Sequence, residues 1–222
     1  TGPAGRPVEK MLARLREMSD APIRAIAYSH GHLGYNDSAE SWLRHSEERG
    51  DPVPPTIAHE NLVRRWRRYT ETEGVQRYFI ELQFRLPRGM MTGQPLSMPM
   101  PTQTFRDTLT LHDEIRPVQL IWAPSETDDA IVLWLPEQRI LYGGAAATPS
   151  IPNVGTPLRS LRDPMRWAET LERMAALEAE EDVLAMAVGT NVLAALLTAV
   201  SGRLGHVWDI HPQNAVVLPP RG

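Results

Sequence analysis

The sequence predicts an α+β protein: two mixed β-sheets packed face to face, with helices on their outer faces. Three observations carry this. Short apolar runs rich in β-branched residues recur along the chain and read as buried strands. They fall into two blocks, separated by a Pro/Gly/Met-rich stretch at 86–104. Amphipathic helices are interleaved with them, and sheet-on-sheet packing with helices outside covers the apolar faces of both kinds of element. With 222 residues, 42% hydrophobic and 23% charged, the chain has ordinary globular composition. A chain of this size buries roughly 70% of its unfolded surface.

Taken in order, Val8, Met11, Leu12, Leu15 and Met18 recur at helical spacing, with Lys10, Arg14 and Glu17 on the other side, which predicts an amphipathic helix. Ile23–Tyr28 has the length and composition of a buried strand. Asp37, followed three residues later by Glu40, predicts a capping box that opens a helix running to about Glu48, and Gly50-Asp51-Pro52 stops it. Thr56–His59 reads as a short strand. A basic helix with Arg64, Arg65, Arg67 and Arg68 follows, and then Val75–Phe84, where aromatic and aliphatic residues interleave. Leu86–Thr104 has no periodicity; its composition suits a mobile connector or a flexible apolar cover for a ligand.

The second block opens with strands at Thr108–Leu111, Val118–Trp122, Ala130–Leu135 and Arg139–Tyr142, the last two joined as a hairpin through Pro136-Glu137-Gln138. Asp163 as N-cap and Pro164 at the first helical position start a helix through about Glu178. Asp182–Val188 reads as a last strand, followed by an apolar helix from Asn191. Residues 1–202 are expected to form one domain and 203–222 a tail without a readable pattern.

Composition excludes several function classes. A net charge of −4 argues against general nucleic-acid binding, which wants a basic face. The chain has no cysteine, so disulfides, thiolate-bound zinc and thiol catalysis are out. The most apolar stretch, Val192–Val200, is far short of the about 20 residues that cross a bilayer. A cytoplasmic protein acting on a small molecule is the expectation, with oligomeric state open.

The candidate chemistry begins at Ser29-His30-Gly31-His32-Leu33-Gly34-Tyr35-Asn36-Asp37. Residues two apart on an extended segment point to the same side, so His30 and His32 would present both imidazoles to one point at the carboxyl end of a strand. Neutral imidazole is the commonest nitrogen ligand of divalent metals. Two histidines meeting by chance in a polar loop is the other reading of so short a pattern.

This loop resembles the metal-binding loop of the metallo-β-lactamase superfamily, H-x-H-x-D-H after a strand, and is closest to its alkyl-sulfatase-like branch. His30 and His32 match the first two positions; Gly34 stands at the Asp and Tyr35 at the second His. Ala123–Pro136 resembles the superfamily's P-G-H-T-x-G loop and following strand, with Glu126 at the third histidine, and sulfatase-like members use glutamate ligands in this half of the fold. Ile140–Gly144 resembles the strand that supplies a bridging Asp, where this chain has Gly144. Val183–Gly189 resembles the strand before a P-G-H-G turn, with Val188 at the last His. Asn153–Pro164 is also similar to the sulfatase-like branch.

The resemblance implies a metallo-β-lactamase-like αββα sandwich. Thr1-Gly2 resembles the end of an Asp-Thr-Gly-like turn, so the strands that open the fold are expected to be missing ahead of it. It implies one zinc ion on His30, His32 and Glu126, and no second metal, because Gly34, Tyr35, Gly144 and Val188 remove that site. Tyr35 would donate a hydrogen bond to developing negative charge or fill the second metal's space. Arg159 or Arg162 would grip an anionic substrate, or simply flank a helix start in solvent. His59 would orient a site residue or bond to backbone. Outside the resemblance, Arg64–Arg68 reads as a solvated helix face, Glu126, Asp128 and Asp129 as solvated turn acids, and Ser125 as a poor nucleophile. The implied function is a metal-dependent hydrolase of an ester or sulfate-ester substrate; the alternative is a non-catalytic binding or scaffolding protein that keeps the fold.

Overall fold

A computed structural model describes residues 6–93, 98–112, 116–147, 162–179, 181–185 and 215–217. Two sheets organise them. In the smaller, β1 (Ile26–Ala27), β2 (Thr56–His59) and β3 (Gln103–Phe105) run parallel in that order, with Ala27 opposite Ile57 and His59 opposite Phe105. Parallel neighbours cannot be joined by a tight turn, and the long connections carry the helices α2 (Ala39–Glu48), α3 (Glu60–Glu71) and α4 (Glu73–Phe84). The larger sheet has the order β4 (Thr108–His112), β5 (Pro117–Trp122), β6 (Ile131–Leu135), β7 (Ile140–Tyr142), β8 (Glu181–Ala185) and β9 (Ala215–Val217). All its neighbours are antiparallel except β7 and β8.

Side-chain alternation explains the layers. Ala27 and Ile57 face inward with Phe105, against Leu120, Ile131, Leu133 and Leu135 of the larger sheet, in one core between the sheets. Their neighbours Ile26, Tyr28 and Ala58 face outward, onto α1 (Arg6–Met18), α2 and α3 through Leu15, Trp42, Leu62 and Trp66. On the far side, Val132 and Trp134 turn outward to α5 (Pro164–Ala175), whose Met174 packs there. Strands covered on both faces read as continuous apolar runs, which is why Ile131–Leu135 is buried at every position.

Several boundaries differ from the sequence reading. The strand expected over Ile23–Tyr28 pairs only at Ile26–Ala27, although Tyr28 N still donates to Ile57 O at 2.8 Å. Ser38, not Asp37, occupies the N-cap of α2, with helical backbone and no side-chain cap bond. The helix at Asp163 does start as expected, its carboxylate accepting from the amides of Met165 and Arg166, but it ends at Ala175. Strand β3 begins inside the stretch expected to be irregular. That stretch is tied to α4 and β2: Glu81 accepts from the amides of Gly89 and Met91, both at 2.9 Å, and Thr102 N donates to Thr56 O at 2.9 Å.

Candidate metal centre

The loop after β1 is held by its own backbone. Ser29 O accepts from Ile131 N at 2.9 Å, Asn36 Nδ2 donates to His30 O at 2.9 Å, and Trp66 Nε1 donates to Gly31 O at 2.8 Å. These bonds come from β6, from the loop itself and from α3, so the two histidines sit on a segment fixed from three sides. Their rings meet edge to face with centroids 4.7 Å apart. His30 Nε2 lies 3.1 Å from His32 Nδ1, and Ser29 Oγ lies 3.1 Å from His30 Nδ1.

Glu126 arrives from the turn between β5 and β6. Ala123 N donates to Ala130 O at 2.9 Å, and Ser125 N to Thr127 O at 3.0 Å, closing a compact loop that turns the carboxylate inward. Its Oε2 lies 3.5 Å from His32 Nε2. Arg162 pairs with Oε1 and also donates from Nε to the Glu126 carbonyl at 3.0 Å. The structure thus brings His30, His32 and Glu126 together, with one donor atom of each within 4.8 Å of the others.

The donor set fits a metal ion. Two imidazoles and a carboxylate form a three-ligand set with an open fourth position, as in several hydrolytic zinc sites. Bonds of about 2.0–2.1 Å put tetrahedral ligand atoms about 3.3 Å apart. Here His32 faces His30 with Nδ1 and Glu126 with Nε2, and with one atom taken from each residue the three lie within 4.8 Å of one another, so a modest turn of the His32 ring would close the set. Tyr35 lies against both rings, at 4.7 Å from His30 and 5.6 Å from His32. A Cβ on Gly144, whose φ is +52°, would sit 2.9 Å from the Ile131 carbonyl oxygen, so that position has no room for a side chain. Val188 and Arg159 lie outside the described residues.

Two expectations about charge need correction. Arg65 is not part of a solvated face, and Asp129 is not a solvated turn acid. Arg65 Nε donates to Asp129 Oδ1 at 2.7 Å, its Nη2 pairs with Asp128, and Asp129 is fully buried. Burial disfavours the charged guanidinium, but Asp129, Tyr69 and Asp128 together more than offset this and raise its pKa. Arg65 stands one residue before Trp66 and three after Leu62, at the edge of the apolar stripe of α3; that position was the available signal. His59 is a backbone-bonded histidine: Nδ1 accepts from Asn61 N at 3.2 Å and Nε2 donates to Arg106 O at 2.7 Å. Its ring stacks on Trp122, and burial pushes its pKa down. Ser125 Oγ donates to Ala123 O at 2.9 Å, a turn bond.

Two face-to-face sheets with outer helices, and a histidine loop at the end of β1, the edge strand of the smaller sheet among the described residues, define a hydrolase-type fold of the metallo-β-lactamase kind. The comparisons agree. Over 201 residues the chain is 30% identical to the linear primary-alkylsulfatase of Pseudomonas sp. (strain ATCC 19151), a match covering 81% of this chain and 37% of that protein. It is 28% identical over 111 residues to the type 2 metallo-β-lactamase of Bacteroides fragilis, covering 49% and 41%. The solved structure of the stereoselective inverting sec-alkylsulfatase from Pseudomonas sp. superposes with a TM-score of 0.58 at 16% identity, over 77% of this chain and 30% of that one. No protein-family model matches the chain. The chain spans well under half the length of these curated relatives. By sequence and by fold the chain is thus similar to alkylsulfatases and metallo-β-lactamases. Among the described residues no helix is long and apolar enough to cross a membrane.

Proposed function

We propose that this chain is a metal-dependent hydrolase of a small ester or sulfate-ester substrate, working with at most one metal ion, zinc, at His30, His32 and Glu126. The convergence of these three side chains carries the reading. The sulfate-ester class follows the name of the alkylsulfatase relative and is carried here as part of the proposal. A zinc ion held by His30, His32 and Glu126 would supply Lewis acidity toward an ester oxygen and would lower the pKa of water toward neutral.

The chain's own residues do the rest. With Nδ1 of His30 donating to Ser29 Oγ, its Nε2 keeps a lone pair for a metal. Arg162 holds Glu126 from side chain and backbone at once, fixing the carboxylate against His32; its share in substrate binding runs through that placement. Arg159 is the remaining candidate to grip the anionic group. Tyr35, packed on both imidazoles, offers its phenol as donor to negative charge developing on the substrate. Gly34 and Gly144 carry no ligand, and a neutral phenol with a pKa of about 10 is a poor one, so nothing at these positions holds a second ion.

Calorimetric titration of metal-free protein with Zn²⁺ is expected to show one tight equivalent, abolished in His30→Ala, and the loaded protein should hydrolyse an alkyl sulfate or a simple ester. Two equivalents of comparable affinity would overturn the one-metal reading. No binding at all would replace it with the non-catalytic reading, a binding or scaffolding protein on the same fold.

A further inference from the structure

We propose that Arg65 is the positioning residue of this site: held by Asp128 and Asp129, it pins the Glu126 loop to the same helix, α3, whose Trp66 pins the histidine loop. The separation between the imidazoles and the Glu126 carboxylate is then set by one rigid helix. The metal-affinity consequence rests on the proposed function; the positioning itself does not.

Each link is direct. Trp66, fully buried, donates to the carbonyl of Gly31, the residue between the two histidines. Arg65, its neighbour on α3, donates to Asp129 and pairs with Asp128, three and two residues beyond Glu126. Asn61, one turn earlier on α3, donates from Nδ2 to the Asp128 carbonyl at 3.1 Å. The two loops also touch at this point. A Cβ on Gly31 would meet Asp129 Oδ2 at 2.9 Å, and both Arg65 Cδ and Leu62 Cγ at 3.1 Å. The histidine loop therefore rests on the buried ion pair itself, with no side chain between.

The chemistry explains why an arginine stands here. Its planar fork holds two carboxylates on consecutive residues at once, whereas an ammonium is a single point of charge that cannot reproduce the geometry. A buried pair that loses one partner leaves an uncompensated charge, so the loop carrying Asp129 must move toward solvent when the guanidinium is removed, and Glu126 moves with it.

The test compares Arg65→Met, Arg65→Lys, Asp129→Asn and, as control, Arg67→Ala, an exposed arginine on the same helix. Zn²⁺ affinity is read by competition with a chromophoric chelator, and the imidazole signals of His30 and His32 by NMR in metal-free protein. Arg65→Met and Asp129→Asn should weaken zinc by about 10–100-fold, the usual range for residues that orient metal ligands, and shift both imidazole signals. Arg65→Lys should fall between, and Arg67→Ala should match the parent. If Arg65→Met fails to fold, Arg65→Lys and Asp129→Asn decide. Parent-like zinc affinity and unmoved imidazole signals in folded variants would overturn the proposal. If the parent binds no zinc, the proposed function fails, and the imidazole signals alone judge the positioning.

Discussion

Helices α3 and α4 are each twelve residues long and are separated only by Thr72, yet they have opposite fates. Leu62, Trp66 and Tyr69 of α3 repeat at i, i+4 and i+7 and pack onto the smaller sheet. Val75, Tyr78 and Leu82 of α4 repeat at i, i+3 and i+7, an equally good apolar stripe, and all three are exposed, Leu82 by 52%. The buried residue of α4 is Glu81, turned inward to take the amides of Gly89 and Met91. Periodicity thus marks an apolar stripe, but not whether it is covered; Val75–Phe84 carries no element assignment from the sequence and is a helix here. What separates the two is position: α3 starts directly from the end of β2 and lies across that sheet's outer face, and α4 follows it past the sheet.

The largest effect that sharpens this comparison is expected in α3. Trp66→Ala removes a fully buried indole and its bond to Gly31, and should cost about 3–5 kcal/mol in urea unfolding. A loss under about 1 kcal/mol, the scale of an ordinary substitution, would mean that α3 is no better anchored than α4.

A smaller and more local effect is expected at Glu81. The amides of Met91 and Gly89 stabilise its carboxylate and hold its pKa below the ordinary value. Since the folded pKa is depressed, the contribution is present above the unfolded pKa and lost as pH falls through the folded one. Glu81→Gln should speed amide exchange at Gly89 and Met91 near neutral pH. In the parent the same acceleration should appear only in acid, below the usual glutamate range. Unchanged exchange in the variant would show that the loop is held by other contacts.

The smallest effect is expected on the open stripe, where Leu82→Ser should change stability by no more than about 0.5 kcal/mol. A loss several times larger would show that something covers α4 in solution.

The same contrast shows what the sequence makes legible. Strand β6 is readable because every residue of Ile131–Leu135 is apolar and buried on both faces. Thr56–His59 was readable to the residue. His30, His32 and Glu126 were readable through a resemblance, since their meeting joins positions more than ninety residues apart that no local pattern connects. The Arg65–Asp129 pair was not. An arginine in a basic helix and an aspartate in an acidic turn each look solvated alone, and burial becomes favourable only when the fold brings them together across 64 residues. The N-cap of α2 escaped for a related reason: Asp37 and Ser38 are both good caps, and the turn begun at Asn36, whose side chain holds His30 O, leaves the cap position to the second of them.

Gly144 carries a consequence for what this scaffold can become. Its backbone lies in the left-handed region and its missing side chain points at the Ile131 carbonyl. The superfamily pattern asks for an aspartate there, yet Gly144→Asp would have to push aside the backbone of β6, the strand whose Ile131 amide supports the histidine loop. The change that supplies a carboxylate would therefore disturb the histidine loop beside it. An aspartate at this position is not one substitution away: the spacing of β6 and β7 would have to open first, so a search for such variants should begin with the hairpin at 136–139.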